Sequence, residues 1–128
     1  MGDPEISVIL PVFNAEEYID EAIESVFSQS YRDFEIIVVD DGSTDTTKNK
    51  IMSYGEEIRY VYQSNAGVSA ARNKGISLAR GRYMTLLDHD DVLMPFKLEL
   101  QRNILEVVSP DVGFVFTDFS LLRDGVIT

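Results

Sequence analysis

The stretch Tyr83-Met84-Thr85-Leu86-Leu87-Asp88-His89-Asp90-Asp91 passes from apolar to acidic within nine residues. An apolar run from Tyr83 to Leu87 suits a strand, and a strand that ends in acids delivers carboxylates at its C-terminal edge. In open α/β sheets that edge is where ligands bind. Three carboxylates within four residues repel one another unless positive charge sits between them. A divalent cation with oxygen ligands, and behind it a phosphate-bearing substrate, meets that need.

Working outward, apolar runs alternate with helical patterns. Ile6 to Val12 and Phe34 to Val39 read as buried strands, unbroken and rich in β-branched residues. Between them Asn14 is expected to cap a helix, with Glu17 in the capping-box position. That helix carries Tyr18, Ile19, Ala22, Ile23, Val26 and Phe27 as one apolar stripe. Ser43 or Thr44 is expected to cap a short helix through about Tyr54. Ile58 to Tyr62 alternates apolar with other residues, as a strand nearer an edge does. Asn65-Ala66-Gly67 opens a helix of small residues to about Ala79, with Gly81 expected as its left-handed terminator. Pro95 is expected to start a helix, with Phe96, Leu98, Leu100, Ile104, Leu105 and Val108 packing on the sheet. Val112 to Phe116 reads as a fifth strand, and Arg123-Asp124-Gly125 as a turn. The alternation predicts one α/β domain over residues 1–128, a Rossmann-like, mostly parallel sheet with helices on both faces. Right-handed crossovers then bring the strand C-termini to one edge. Thr128 falls a few residues into what reads as a new strand, so the domain is expected to be part of a longer one.

Composition narrows the function. Asp and Glu outnumber Lys and Arg by 22 to 11, for a formal charge of −11. Such a surface repels nucleic acid and anionic membranes, so neither is an expected partner. There is no cysteine, which excludes disulfides, thiolate metal sites and cysteine nucleophiles. No apolar run approaches the ~20 residues of a membrane span, and no signal pattern opens the chain. The expected location is the cytoplasm, with any contact to the inner face of the membrane made through other segments or through an acceptor.

Three groups are predicted to meet at the C-terminal edge. After the first strand, Pro11 offers a carbonyl and a loop shape, and Phe13 a flat ring that is either core or a platform for a nucleobase. After the second, Asp40 and Asp41 can hydrogen-bond base or ribose groups while Gly42 lets the chain turn closely; Asp45 is assigned to helix capping. The third is the acid cluster. In extended chain Asp88 and Asp90 share a face, and one could hold a ribose hydroxyl while the other holds Mn²⁺ or Mg²⁺. Asp91 is read as a helix N-terminal acid. The His89 side chain, lying between two acids, is expected to point away from them. Arg72, on the helix of small residues, can reach a carboxylate or a phosphate.

The ordered set Ser7 to Asn14, Val39 to Asp45, Asn65 to Asn73 and Leu87 to Asp91 resembles the family 2 glycosyltransferases, over nearly the whole chain. The resemblance implies the GT-A fold, a nucleotide-sugar donor, often a UDP-sugar, and a Mn²⁺ or Mg²⁺ cofactor. It places Phe13 against the base with Pro11 close by, and Asp41 on the base. Asp88-His89-Asp90 looks like the family's DXD motif: Asp88 toward ribose or metal, Asp90 on the metal bridging the diphosphate. The histidine departs from the usual small middle residue. The acceptor, saccharide or lipid-linked, and the catalytic base belong to the family's downstream half, so the base is expected beyond Thr128. Asp111, Asp118 and Asp124 come too soon for that role. The alternative within the same fold is a donor-binding fragment without activity, and two other classes compete. A metal-dependent nucleotidyltransferase would carry a Gly-rich, basic loop after its first strand, and a phospho-receiver domain would carry its acid pair there. Pro11-Val12-Phe13-Asn14 matches neither.

Overall fold

A computed structural model describes residues 2–127; Met1 and Thr128 lie outside it. Four parallel strands form one sheet: β1 (Ile6–Val12), β2 (Phe34–Asp40), β3 (Arg59–Tyr62) and β4 (Tyr83–Leu86), in the order β3-β2-β1-β4. The helices are α1 (Ile19–Phe27), α2 (Thr47–Met52), α3 (Val68–Leu78) and α4 (Lys97–Val107).

All seven residues of β1 are buried, because it pairs with β2 on one side and β4 on the other while helices cover both faces. On one face Val8, Leu10, Val12, Ile36 and Val38 pack with Ile19, Ala22, Ile23 and Val26 of α1 and Ile51 of α2. On the other, Ile37 and Val39 meet Ala71 of α3. The small residues of α3 serve that contact, since a Cβ on Gly75 would drive into Ile9 Cγ2. Gly75→Ala is expected to lower stability by about 1–3 kcal/mol through overpacking. That outweighs the gain of about 1 kcal/mol in helix propensity. Chemical denaturation checks the sign, and a more stable variant would contradict the packing.

Several local expectations are corrected. Asn14 does not cap α1. It adopts a left-handed conformation (φ 47), and α1 starts later with Tyr18 at its N-cap and no side-chain cap. The Asn14 amide is spent across the sheet edge, where its Oδ1 accepts from Thr44 N at 2.8 Å. Glu17 thus has no capping box to complete. Neither Ser43 nor Thr44 caps α2; Thr46 holds that position, and Asp45 Oδ1 accepts the Thr47 N–H at 2.9 Å. Gly81 is not left-handed. Its lack of a side chain serves close approach, since a Cβ there would lie 2.6 Å from Ser7 N. Pro95 precedes the N-cap residue Phe96 of α4 instead of starting the helix, and of the apolar set proposed for this helix Leu98 is buried while Phe96, Leu100 and Ile104 are exposed.

β4 is an edge strand, with Met84 and Leu86 exposed. Residues 112–116, expected as a fifth strand, are irregular. No strand among the described residues pairs with them, and Phe114 is 75% exposed, so neither ladder bonds nor burial stabilise an extended conformation. β3 lies at the opposite edge, as its alternation suggests. The Arg123-Asp124-Gly125 turn joins a two-stranded hairpin, β5 (Leu122–Arg123) and β6 (Val126–Ile127). Asp124 and Gly125 both have positive φ, the conformation a two-residue hairpin loop prefers. No helix among the described residues is long and apolar enough to cross a membrane.

Candidate functional site at the strand C-termini

Because all four strands run parallel, the loops after β1, β2 and β4 and the start of α3 gather at one edge. The loop after β2 is organised by two acids with opposite fates. Asp40 is fully buried. Its Oδ1 accepts from Ser43 N at 2.8 Å and its Oδ2 from Tyr60 OH at 2.6 Å; burial and this carboxylate push the Tyr60 phenol up. Asp40 is therefore a structural acid, not the base or ribose contact that the acid pair suggests.

Asp41 is 4% exposed. Its Oδ1 accepts from Gln63 Nε2 at 2.8 Å and from Ala66 N at 2.8 Å, and its Oδ2 from Gly67 N at 2.9 Å. Burial pushes this carboxyl up, but the three donors prevail and hold it below the ordinary aspartate range. Gly67 (φ 98) is the N-cap of α3, so Asp41 fastens the helix start to the sheet. A carboxylate has about four acceptor positions. Three are filled, and the open one is on Oδ2.

A cleft of about 270 Å³ lies over this edge, lined by Pro11, Val12, Phe13, Asp41, Asn65, Gly67, Val68, Ala71 and His89. The structure thus brings together Pro11, Phe13 and Asp41, three residues picked from sequence. Phe13 is 46% exposed, so its ring is a surface and not part of the core. At the border, Arg72 Nη2 donates to Asp88 Oδ1 at 2.9 Å. Among the described residues, two buried side-chain polar atoms have no partner: Arg72 Nε and His89 Nδ1. Both flank Asp88. Sequence reasoning missed the cleft-lining role of His89 and the backbone role of Ala66 and Gly67.

The acids after β4 are not on an extended strand. Leu87 is buried and its N–H reaches Ile9 O at 2.9 Å, after which Asp91 N donates to Asp88 O at 3.1 Å and closes a turn. Strand alternation therefore does not set the directions of Asp88 and Asp90. Asp91 is not a helix N-terminal acid either, because α4 begins only at Lys97. Its carboxyl is pushed up, first by burial and then by the charges of Asp90 and Asp88. Among the described residues no three His, Asp or Glu side chains group as a metal site. A hard cation here would rest on Asp88 and Asp90 and take its remaining oxygens from ligand and water. A larger cavity, about 410 Å³, lies beside β4, α4 and residues 113–117. No carboxylate lines it, and it is away from the loops described above.

Comparison with known proteins agrees with this geometry. A family model, Glycosyl transferase family 2, matches residues 7–118. An uncharacterized glycosyltransferase of Rickettsia prowazekii is 43% identical over 119 residues, which are 93% of this chain and 37% of that protein. The structure of S. aureus TarS 1-349 in complex with UDP-GlcNAc superposes with a TM-score of 0.76 at 30% identity, covering 80% of this chain and 31% of that one. The mannosyltransferase PcManGT from Pyrobaculum calidifontis, in complex with GDP-Man and Mn²⁺, gives a TM-score of 0.74 at 26% identity, covering 87% and 34%. The chain thus spans about a third of the length of these proteins. Its sheet is that of the GT-A glycosyltransferases, and the chain belongs to glycosyl transferase family 2.

Proposed function

We propose that residues 1–128 form the donor-binding portion of a metal-dependent, inverting glycosyltransferase that uses a nucleotide-sugar, with UDP-sugars as the preferred donors. The observation that carries this reading is the cleft itself. An exposed ring (Phe13) and a buried carboxylate with one open acceptor position (Asp41) line it together with His89 of the Asp88–Asp91 turn, whose Asp88 is paired with Arg72. Phe13 stacks on the base, and Asp41 Oδ2 accepts a base N–H, with the Pro11 loop shaping the approach. Asp88 and Arg72 would meet the ribose and diphosphate, and Asp90 would hold the metal, with Asp88 as its second protein ligand. When bound, Mn²⁺ or Mg²⁺ supplies positive charge that offsets the charge growing on the departing nucleoside diphosphate. The two carboxylates offer the oxygen donors that a hard cation takes, with its remaining oxygens coming from ligand and water.

No residue in this chain is assigned to deprotonate the acceptor hydroxyl, saccharide or lipid-linked. We assign that general base to a segment outside residues 1–128, since the matched relatives are about three times as long. The 128-residue chain is therefore expected to bind donor without transferring sugar; transfer by this chain alone would overturn the division of labour. In a longer chain that carries the base, NMR of the first-formed product is expected to show an inverted anomeric configuration. Retention would sink the inverting mechanism.

A further inference from the structure

Phe13, the exposed ring of the cleft, is tied on both sides to the loop that carries Asp41. On its N-terminal side Val12 O accepts the Asp41 N–H at 2.8 Å, one bond beyond the last β1–β2 pair, Val12 with Asp40. On its C-terminal side two bonds run through Asn14. The Asn14 N–H donates to Ser43 Oγ at 2.9 Å, and Asn14 Oδ1 accepts the Thr44 N–H at 2.8 Å. The next residue anchors the tie, since the Ala15 N–H donates to Thr47 Oγ1 at 2.8 Å and Thr47 is fully buried.

Asn14 is left-handed (φ 47), a conformation that asparagine and aspartate tolerate better than other residues with a side chain. It does not line the cleft. It turns the chain directly after the ring and spends its amide on the loop of the facing acid. The place of the ring relative to Asp41 is thereby set without Asn14 touching what lies between them. Ordering a contact group before binding spares that cost when the ligand arrives. We propose that Asn14 is a positioning residue, which through Ser43 and Thr44 holds the Phe13 ring at a fixed place relative to Asp41. The inference rests on the reading of Phe13 as the base-stacking ring and adds to it the residue that keeps the ring in place.

The test is a double-mutant cycle, read by calorimetric titration of the 128-residue chain with UDP at one fixed Mn²⁺ concentration. Asn14→Gly keeps the left-handed turn and removes the side-chain acceptor. It is expected to weaken UDP about three- to tenfold, the range of one net hydrogen bond. Phe13→Ala is expected to weaken UDP by about tenfold or more through lost stacking. In the Phe13→Ala chain, Asn14→Gly should cost nothing further, because the ring it positions is gone. Asn14→Asp keeps the acceptor and the turn, and in salt that screens its added charge it should bind like the wild type. An Asn14→Gly chain that binds UDP as tightly as the wild type overturns the proposal. So does an equal loss with and without the Phe13 ring, the mark of a direct contact or of a general loosening of the fold. So does an Asn14→Asp chain as weak as Asn14→Gly. A Phe13→Ala chain that binds UDP like the wild type, or a wild type that does not bind it, overturns the base-stacking reading itself, a result distinct from the loss of coupling.

Discussion

Asp90→Ala is expected to remove Mn²⁺-dependent UDP binding while leaving the fold intact. Asp88 and Asp90 flank His89 in the turn closed by the Asp91 N–H, but they are not equivalent. Asp88 is engaged by Arg72 at 2.9 Å, whereas no hydrogen-bond donor or cation among the described residues is placed on the Asp90 carboxylate. A free carboxylate beside two others in a crowded turn is the better cation ligand. Outer-sphere partners of metal ligands are worth about 10–100-fold in affinity, so loss of a ligand should exceed about 100-fold. Asp90 is exposed, and the unfolding midpoint of the variant should match the parent. Calorimetry with UDP, with and without Mn²⁺, reads the effect. An unchanged Mn²⁺-dependent affinity would remove Asp90 from the metal site.

The largest expected loss of stability is at Asp41. Replacing it with Ala leaves Gln63 Nε2 and the Ala66 and Gly67 N–H groups without their acceptor. These bonds are part-buried, and Ala66 and Gly67 are exposed, so each orphaned donor costs less than the ~1–3 kcal/mol of a buried one. About 2–4 kcal/mol is expected in all, a sizeable share of the ~5–15 kcal/mol that holds a domain together. The effect also has a pH signature. The folded carboxyl titrates below its unfolded value, so its contribution is present above the unfolded pKa and is lost as pH falls through the folded one. Urea unfolding should show the Asp41→Ala penalty in full near pH 7 and shrinking in strong acid. A penalty that does not change with pH would mean that the ionised form is not what holds Ala66 and Gly67.

What the sequence made legible was what depends on local pattern. The unbroken β-branched runs of β1 and β2 identified the two central strands, and the alternation in Ile58 to Tyr62 identified an edge. Parallel order then followed from the intervening helices, and it carried Pro11, Phe13 and Asp41 to one cleft. The errors came where long-range contacts decide. Asn14 has the composition of a helix cap, but its amide is spent on Thr44, 30 residues away. Gly81 has the position of a helix terminator, but Ser7 is what crowds it. The strand expected at 112–116 has the right side chains and no neighbour to pair with. The shared face of Asp88 and Asp90 that alternation predicts does not follow where the Asp88–Asp91 hydrogen bond makes the segment a turn. Asp40 and Asp41 are adjacent and identical in type, and only Tyr60 and the start of α3 tell them apart.

The central claim is that the cleft over the strand C-termini, and not the larger cavity beside β4 and α4, receives the nucleotide. Amide chemical-shift mapping of the ¹⁵N-labelled chain with UDP and diamagnetic Mg²⁺ tests it most directly. The account predicts saturable shifts at Phe13, Asp41, Asn65 to Gly67 and Asp88 to Asp90. Shifts confined to residues 82–85, 97–105 and 113–117, or no saturable shifts at all, would contradict it.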